Sequence, residues 1–217
     1  MKLERERERV AAAARLLAAE GLVVGTAGNV SERAGDLVAV TPTGASLKEL
    51  AAEQVTVVDT GGSHVDGDLA PTSELELHLG VYARYGAGGV VHTHAPMATS
   101  LSCVLDELPV VHYQLLTLGG PVRVAPYRTF GTPELAEVTL DALDGRLAAL
   151  MANHGAIAWA HDVDAAVESS LLLEWACTVY WRASALGTPR TLSEEERQAV
   201  VTAALARDYG KTRKVDG

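Results

Sequence analysis

The chain has 217 residues, of which 48% are hydrophobic and 21% are charged, and its formal net charge is −10 at pH 7. These values are ordinary for one soluble domain with a full core, and the acidic balance argues against nucleic acid or an anionic membrane as a main partner. Neither a signal-peptide pattern nor an apolar run of membrane-spanning length occurs, so we expect a cytoplasmic protein.

The first part of the chain is predicted to combine short strands with loops rich in hydrogen-bond donors. After a helix over residues 2–20, the glycines and small polar side chains of 25–31 suit a loop that approaches a ligand, although a plain turn explains them as well. A hairpin is expected over 29–41. Residues 41–44 form a second donor-rich loop, followed by a short helix at 46–50 whose start favours anions.

The next helix is predicted to open with a capping box, in which Ser73 is the N-cap and Glu76 stands at N3, and to end near Tyr85. Glu74 would then be held in the first turn and point out of the helix mouth. An acidic residue there is also a common complement to the helix dipole. His78, one turn further on, is expected to be a surface or packing histidine.

Residues 90–96 place two histidines on a predicted strand. Side chains alternate between the two faces of a strand, so His92 and His94 should point the same way. Two imidazoles on one rigid strand make half of a metal site. The pair alone is weak, because two ordinary histidines at the end of a strand give the same pattern.

A third histidine interrupts two apolar segments that are predicted to be strands. His154 lies between residues 147–152 and 156–160, where it is well placed either as a third ligand or as an ordinary turn histidine. The two cysteines, Cys103 and Cys177, stand in apolar contexts and are expected to be reduced core residues.

Further helices are predicted around these strands. They cover 98–104, a segment capped by Thr132, the apolar stretch 162–186, and a last helix from Ser193 to Tyr209 that opens with a capping box. Because most strands are separated by turns, with helices between sets of strands, we expect a largely antiparallel sheet covered by helices. Residues 1–217 should form a single domain, with 210–217 as a loose tail.

Taken together, His92, His94 and His154 offer three nitrogen ligands, and Glu74 offers a candidate oxygen ligand. Three histidines plus an exchangeable position is the arrangement of a catalytic zinc site. Beside the donor-rich loops, such a site suggests proton abstraction next to the carbonyl of a sugar phosphate. None of the four lysines stands in a buried apolar context, which weakens the alternative of a Schiff-base aldolase.

These motifs, in this order, resemble the class II aldolase/adducin family over nearly the whole chain. They are residues 25–31, 41–44, 71–74, 92–94, 112–113, 127–136 and 153–155, with Tyr209 near the end. The resemblance implies an α/β fold of three layers, with a central, mostly antiparallel sheet and helices on both faces. It also implies a homotetramer with fourfold symmetry and active sites between subunits.

By the same resemblance, His92, His94 and His154 hold one Zn²⁺ per subunit, and Glu74 leaves the metal to act as the base. The partner subunit's Tyr113 is the implied proton donor to the aldehyde oxygen. Phe130 and Tyr209 are implied to shape the aldehyde pocket. The implied phosphate-binding positions are Thr26, Gly28, Asn29, Thr43, Gly44, Thr72 and Ser73.

The implied reaction cleaves a ketose 1-phosphate into dihydroxyacetone phosphate and an aldehyde, with Zn²⁺ stabilising the enediolate. L-Fuculose 1-phosphate is the expected substrate, which would yield L-lactaldehyde and place the enzyme in fucose catabolism. Alternatives on the same scaffold are a 5-deoxyribulose-1-phosphate aldolase, a pentulose-phosphate 4-epimerase, a methylthioribulose-phosphate dehydratase and a decarboxylase of aromatic acids. A non-catalytic, adducin-like protein is disfavoured because the three histidines and Glu74 are all present.

Overall fold

In the computed structural model, which describes residues 1–207, one nine-stranded β-sheet carries helices on both faces. The strands are β1 (Asn29–Ala34), β2 (Leu37–Val40), β3 (Thr56–Asp59), β4 (His64–Asp66), β5 (Gly89–Thr93), β6 (Glu107–Leu108), β7 (Val122–Ala125), β8 (Ala148–Met151) and β9 (Gly155–Ala160). The α-helices are α1 (Glu4–Ala19), α2 (Leu75–Tyr85), α3 (Pro96–Ser102), α4 (Pro133–Ala142), α5 (Val163–Leu186) and α6 (Glu194–Arg207). Tyr209 and the predicted tail at 210–217 lie outside the described residues.

The strand order in the sheet is β4-β3-β2-β1-β5-β9-β8-β7-β6. Every neighbouring pair is antiparallel except β7 and β8, which run parallel. The expectation of a mostly antiparallel sheet between helices is therefore confirmed. Strands β1 to β4 pair with their neighbours in sequence, whereas β5 inserts between β1 and β9.

The central strand β5 is buried on both faces of the sheet. Its neighbouring residues Val90 and Val91 are both fully buried, but they belong to different hydrophobic clusters, as the alternation of side chains along a strand requires. The cluster with Val91 packs under α1, α3 and α5, and the cluster with Val90 packs under α2 and α4. Gly88 precedes this strand and Gly89 begins it, and a Cβ at either position would lie under 3 Å from the backbone that leads into α5.

Helix α5 was expected to be buried or at an interface. In the structure its first part is packed on the sheet, and residues near its end are exposed. Its first four turns pack on β5 and β9 through residues such as Val163, Ala166 and Leu173. Trp181 and Leu186 near its end are exposed. Among the helices of the described residues, this one included, none combines the length and apolar character that a membrane span requires.

Two of the three predicted helix caps are present. Thr132 Oγ1 accepts from the backbone N–H of Leu135, and Ser193 and Glu196 form the reciprocal bonds of a capping box. The short helices at 46–50 and after His112 are 3₁₀ turns, Leu47–Glu49 and Tyr113–Leu118.

The capping box expected on α2 is wrong, since Glu74 rather than Ser73 is the N-cap and no side chain caps the helix. The preceding chain is tied to the sheet by the N–H of Thr72, which donates to the carbonyl of Thr41. The helix starts one residue later than predicted, and the Glu74 carboxylate makes no capping bond to its own helix.

Of the two cysteines, only Cys177 is in the core. Cys103 follows the last turn of α3 and is exposed, so its expected burial is wrong. The helix begins at Pro96, two residues earlier than predicted, and its end therefore reaches the surface sooner.

Candidate active site

Three histidines from neighbouring strands meet at the centre of the sheet. His92 lies on β5, His94 directly follows that strand, and His154 lies in the turn between β8 and β9. Because Thr93 pairs with Ala156 across β5 and β9, the end of one strand lies beside the start of the other. Each pair of imidazole centroids is 4.9 Å apart, and one nitrogen of each ring lies within 4.8 Å of the others.

The turn that carries His154 depends on its two neighbours. Asn153 has a φ of 55°, a left-handed conformation that asparagine adopts more readily than most residues. At Gly155, a Cβ would lie 2.3 Å from the carbonyl oxygen of Thr93. The sequence Asn-His-Gly thus brings the third histidine against the end of the strand that carries the other two.

His92 is fully buried, and its Nδ1 lies 2.9 Å from the carbonyl oxygen of Ala156. A carbonyl only accepts, so Nδ1 carries the proton and the lone pair of Nε2 faces the site. That nitrogen lies 3.0 Å from Nε2 of His94 and 3.1 Å from Oε2 of Glu74. Three electron-rich atoms that converge in this way suit a cation, and this donor set is typical of Zn²⁺ and similar metal ions.

The two carboxylate oxygens of Glu74 have different surroundings. Oε2 accepts a hydrogen bond from Nδ2 of Asn29 at 3.0 Å. Oε1 lies 3.5 Å from Nε2 of His154 and accepts no hydrogen bond from any residue that the structure describes, although it is buried. A buried oxygen without a donor needs a cation or a proton, so the three histidines and Glu74 fit a metal ion.

The charge states of these groups also fit metal binding. Burial raises the pKa of the Glu74 carboxyl, but attraction by His92 and His154 and the hydrogen bond from Asn29 outweigh it, so the pKa lies below its usual value. Burial lowers the pKa of His94 and of His154 to about 4, and repulsion from His92 adds to the effect. At neutral pH the site therefore offers an ionised carboxylate at Glu74 and neutral imidazoles at His94 and His154.

A chain of hydrogen bonds leads from Glu74 into the core. Oδ1 of Asn29 contacts Nε2 of His78. Nδ1 of His78 lies 2.6 Å from Oγ of Ser31, which lies 2.6 Å from the hydroxyl of Tyr82. His78 is 0% exposed, so the expectation of a surface histidine is wrong, and a packing role describes only part of its contacts. Its position one turn after Glu74 was the only signal in the sequence.

Above the histidines lies a pocket of about 280 Å³. Glu74, His94 and His154 line its floor, and Phe130 stands at its wall. All seven predicted phosphate-binding residues line the same pocket: Thr26, Gly28, Asn29, Thr43, Gly44, Thr72 and Ser73. Three loops that are distant in sequence thus face one space, beside the candidate metal ligands.

Three polar residues of the pocket were not predicted as site residues. Tyr127, Arg128 and Asn153 also line the pocket, and Arg128 is the one cationic side chain among the described residues that do so. The first two lie inside the motif at 127–136, and the third precedes His154. Their neighbours in sequence were therefore the available signal.

Of the remaining predicted residues, Tyr113 does not line this pocket within one chain. Tyr113 begins the 3₁₀ turn after His112, is 39% exposed, and is absent from the described residues that line the pocket. Tyr209 lies outside the described residues. A role for Tyr113 at the metal site therefore requires a second copy of the chain.

Comparison with known proteins places this arrangement in context. The sequence model described as Class II Aldolase and Adducin N-terminal domain matches residues 8–181. The 5-deoxy-D-ribulose 1-phosphate aldolase of Bacillus thuringiensis serovar kurstaki is 36% identical over 201 residues, which are 91% of this chain and 94% of that protein.

The L-fuculose phosphate aldolase of Escherichia coli K12 is 37% identical over 183 residues, which are 83% of this chain and 85% of that protein. Among solved structures, an L-fuculose 1-phosphate aldolase superimposes with a TM-score of 0.88 and 33% identity. The superposition covers 92% of this chain and 95% of the other.

Proposed function

Since this chain belongs to the class II aldolase and adducin family, whose aldolases are metal-dependent carbon–carbon lyases, we propose that it cleaves a deoxyketose 1-phosphate into dihydroxyacetone phosphate and a short aldehyde. The observation that carries the proposal is the convergence of three imidazole nitrogens and the Glu74 carboxylate beneath a pocket walled by small hydrogen-bond donors. We further propose that the protein is cytoplasmic.

The metal site consists of His92, His94 and His154, with Glu74 as a fourth ligand in the absence of substrate. Three nitrogens and one oxygen favour Zn²⁺. When bound, the ion would supply an electrophile that polarises the substrate carbonyl and its neighbouring hydroxyl. The hydrogen bond from Nδ1 of His92 to Ala156 fixes the ring with Nε2 toward this position.

Glu74 is the proposed general base. In the direction of synthesis it takes a proton from the carbon next to the carbonyl of dihydroxyacetone phosphate, and in cleavage it returns that proton. Its lowered pKa keeps it ionised at neutral pH. Oε1 is the oxygen suited to hold the proton, because Oε2 already accepts the hydrogen bond from Asn29.

The phosphate group would occupy the wall formed by the loops at 26–29, 43–44 and 72–73. The N–H groups of Thr43 and Thr72 already donate to backbone carbonyls, so the hydroxyls of these loops and their remaining N–H groups are the proposed donors, without a fixed positive charge. Arg128 adds a cation at the same pocket. The aldehyde half of the substrate would then face Phe130, whose ring suits the terminal methyl group of a deoxy sugar.

We propose that the partner subunit's Tyr113 donates a proton to the aldehyde oxygen in a homotetramer. The exposure of Tyr113 and its absence from the described residues that line the pocket support this arrangement. In the direction of synthesis the aldehyde oxygen becomes an alkoxide as the carbon–carbon bond forms, and a phenol is a suitable proton donor to it; in cleavage the phenolate takes that proton from the substrate hydroxyl.

Two substrates deserve the first assays. L-Fuculose 1-phosphate and 5-deoxyribulose 1-phosphate both end in a methyl group, and both would release dihydroxyacetone phosphate, with L-lactaldehyde or acetaldehyde as the second product. Relatives that bear each name support each candidate. Fucose catabolism follows as the pathway only if the first substrate is preferred.

The test is an assay in which released dihydroxyacetone phosphate is reduced by an NADH-dependent dehydrogenase. We expect release from at least one of the two substrates, loss of release after chelation, and recovery with Zn²⁺. Zn²⁺-loaded protein that releases none from either substrate would contradict the proposed reaction and favour the epimerase or dehydratase.

A further inference from the structure

We propose that His78 is a positioning residue for the reaction: through a buried chain of hydrogen bonds it holds the side-chain amide of Asn29 so that its NH₂ group faces the carboxylate of Glu74. The inference rests on the proposed function, in which Glu74 is the base. It assigns a role to three buried side chains that do not line the pocket: Ser31, His78 and Tyr82.

The chain consists of side chains from two elements. Asn29 and Ser31 point from β1 toward the same face, and His78 and Tyr82 lie one turn apart on α2. Apart from Asn29 at 6%, none is more than 2% exposed. Four polar groups in such a place require mutual hydrogen bonds, because no water is available to replace them.

The donor and acceptor of every hydrogen bond in this chain follow from the bond between Asn29 and Glu74. An ionised carboxylate only accepts, so the Asn29 group next to Oε2 of Glu74 must be Nδ2. Oδ1 of Asn29 then faces Nε2 of His78, which must donate. Nδ1 of His78 therefore carries no proton and accepts from Ser31, and Ser31 in turn accepts from the hydroxyl of Tyr82.

This order of donors and acceptors excludes the flipped orientation of the Asn29 side-chain amide. If the Asn29 side chain turned over, its oxygen would face the carboxylate and its NH₂ group would face the protonated nitrogen of His78. Both contacts would be repulsive. Burial lowers the pKa of His78 to about 3, which keeps the ring neutral and the single tautomer in place.

The amide of Asn29 connects two parts of the site. One N–H bonds to Oε2 of Glu74, and the residue also lines the pocket beside the phosphate loops. His78 thereby controls the oxygen that must stay bonded while the other oxygen exchanges a proton. Loss of the hydrogen bond from His78 to Asn29 should lower kcat more than it raises KM, because the candidate ligands and most of the pocket wall stay intact.

Two substitutions of His78 separate positioning from simple packing. The amide nitrogen of a glutamine lies near the place of Nε2, so His78→Gln can still donate to Asn29. The amide of an asparagine lies nearer to Nδ1, so His78→Asn can still bond Ser31 but leaves Asn29 unsupported. We expect kcat for dihydroxyacetone phosphate release to fall about 10- to 100-fold in H78N. In H78Q it should recover most of this loss, with zinc content unchanged in both.

A second pair of variants keeps the test valid if substitution of His78 prevents folding. Ser31→Ala removes the hydroxyl that donates to His78, whereas Ser170→Ala removes an equally buried hydroxyl that bonds its own helix. We expect S31A to lower kcat and S170A to leave it unchanged. Equal values of kcat in H78N and H78Q, or in S31A and S170A, would overturn the proposal.

A readout without turnover separates this inference from the proposed function. In ¹⁵N-labelled wild-type protein, the nitrogen shifts of His78 report its tautomer, and we expect a protonated Nε2 and a bare Nδ1. A protonated Nδ1 would refute the chain even in an active enzyme. Wild-type protein with the expected tautomer but no release of dihydroxyacetone phosphate would refute the proposed reaction alone.

Discussion

On the buried carboxylate of Glu74, Oε2 accepts a hydrogen bond from Asn29, whereas Oε1 accepts none from the described residues. The asymmetry matters because a ligand that must leave a metal ion and act as a base needs one oxygen that is not committed elsewhere. The hydrogen bond from Asn29 holds the side chain, and the free oxygen lies toward His154.

Replacement of Glu74 by glutamine should remove the base and leave the metal in place. We expect Glu74→Gln to lower kcat by about 10² to 10⁴, the usual contribution of a general base. The zinc content, measured by elemental analysis, should stay near wild type because three histidines are retained. The control variant Glu76→Gln makes the same change two residues away, outside the pocket lining, and should leave kcat and zinc content unchanged. Unaltered turnover in E74Q would mean that another group is the base.

At this scale the sequence was informative about the candidate ligands and uninformative about the residues that hydrogen-bond to them. His92, His94 and His154 carry a recognisable pattern because metal binding restricts both residue type and spacing. The partner of His78 is Asn29, 49 residues away. Whether a lone helical histidine is exposed or bonded depends on which strand packs against it, and this is a property of the tertiary structure.

At the scale of elements, β5, β9 and the turn between β8 and β9 hold the ligands by close backbone approach. Gly155 is the point of tightest contact with the end of β5, where no side chain can be accommodated. The alternation of the strands was readable in the sequence, as were the Thr132 and Ser193 caps. The insertion of β5 between β1 and β9 was not, since pairs so distant in sequence leave no local signal.

A methyl group at Gly155 should separate these two strands. We expect Gly155→Ala to reduce the free energy of unfolding by about 1–3 kcal/mol and to weaken zinc binding, since its Cβ would meet Thr93 and the ring of His94. Urea unfolding and competition with a chromogenic chelator measure the two effects. Gly187→Ala, where the added Cβ has nothing within 4 Å, is the control. Wild-type stability and affinity in G155A would contradict the close approach.

At the scale of the whole molecule, both hydrophobic clusters share one sheet, and we propose that the chain is a single domain. We also propose that its active site is completed by a second copy. The apolar exposure of Trp181 and Leu186 on α5 is compatible with such an assembly.

Shared active sites predict that two inactive variants restore activity when their subunits mix. Glu74→Gln lacks the base and Tyr113→Phe lacks the proton donor, so each homo-oligomer should be impaired. After dissociation and reassembly together, some sites should combine an intact Glu74 with the partner subunit's Tyr113. Recovered release of dihydroxyacetone phosphate in the mixture, but not in either variant treated alone, is the expected result. No recovery despite verified mixing would argue for sites within one chain.

The metal-free protein should lose stability as the pH falls from about 6.5 toward 4. His78, His94 and His154 stay neutral in the fold, since burial lowers their pKa values to about 3, 4 and 4. The unfolded chain binds protons at these histidines below about pH 6.5. The contribution of these neutral histidines to the free energy of unfolding is therefore complete above that pH and declines below it. For His78, which is fully buried, the slope should approach about 1.4 kcal/mol per pH unit.

Urea unfolding of metal-free protein at pH 7.5, 6 and 5 measures this dependence. His78→Gln should flatten it in part, and His161→Gln, which changes an exposed histidine, should not. A free energy of unfolding that is constant over this range would show that the three rings accept protons in the folded state.

The order of strands also bears on when the site can appear during synthesis. The meander of β1 to β4 can pair as soon as it leaves the ribosome, because its contacts are between neighbours in sequence. Strand β5 and the residue that follows it then add two candidate ligands, His92 and His94, but the third is supplied only after residue 154 has emerged. Capture of the proposed metal ion would therefore complete the fold rather than template it, and a nascent chain truncated before β8 would present only two of the three histidines, at an open sheet edge.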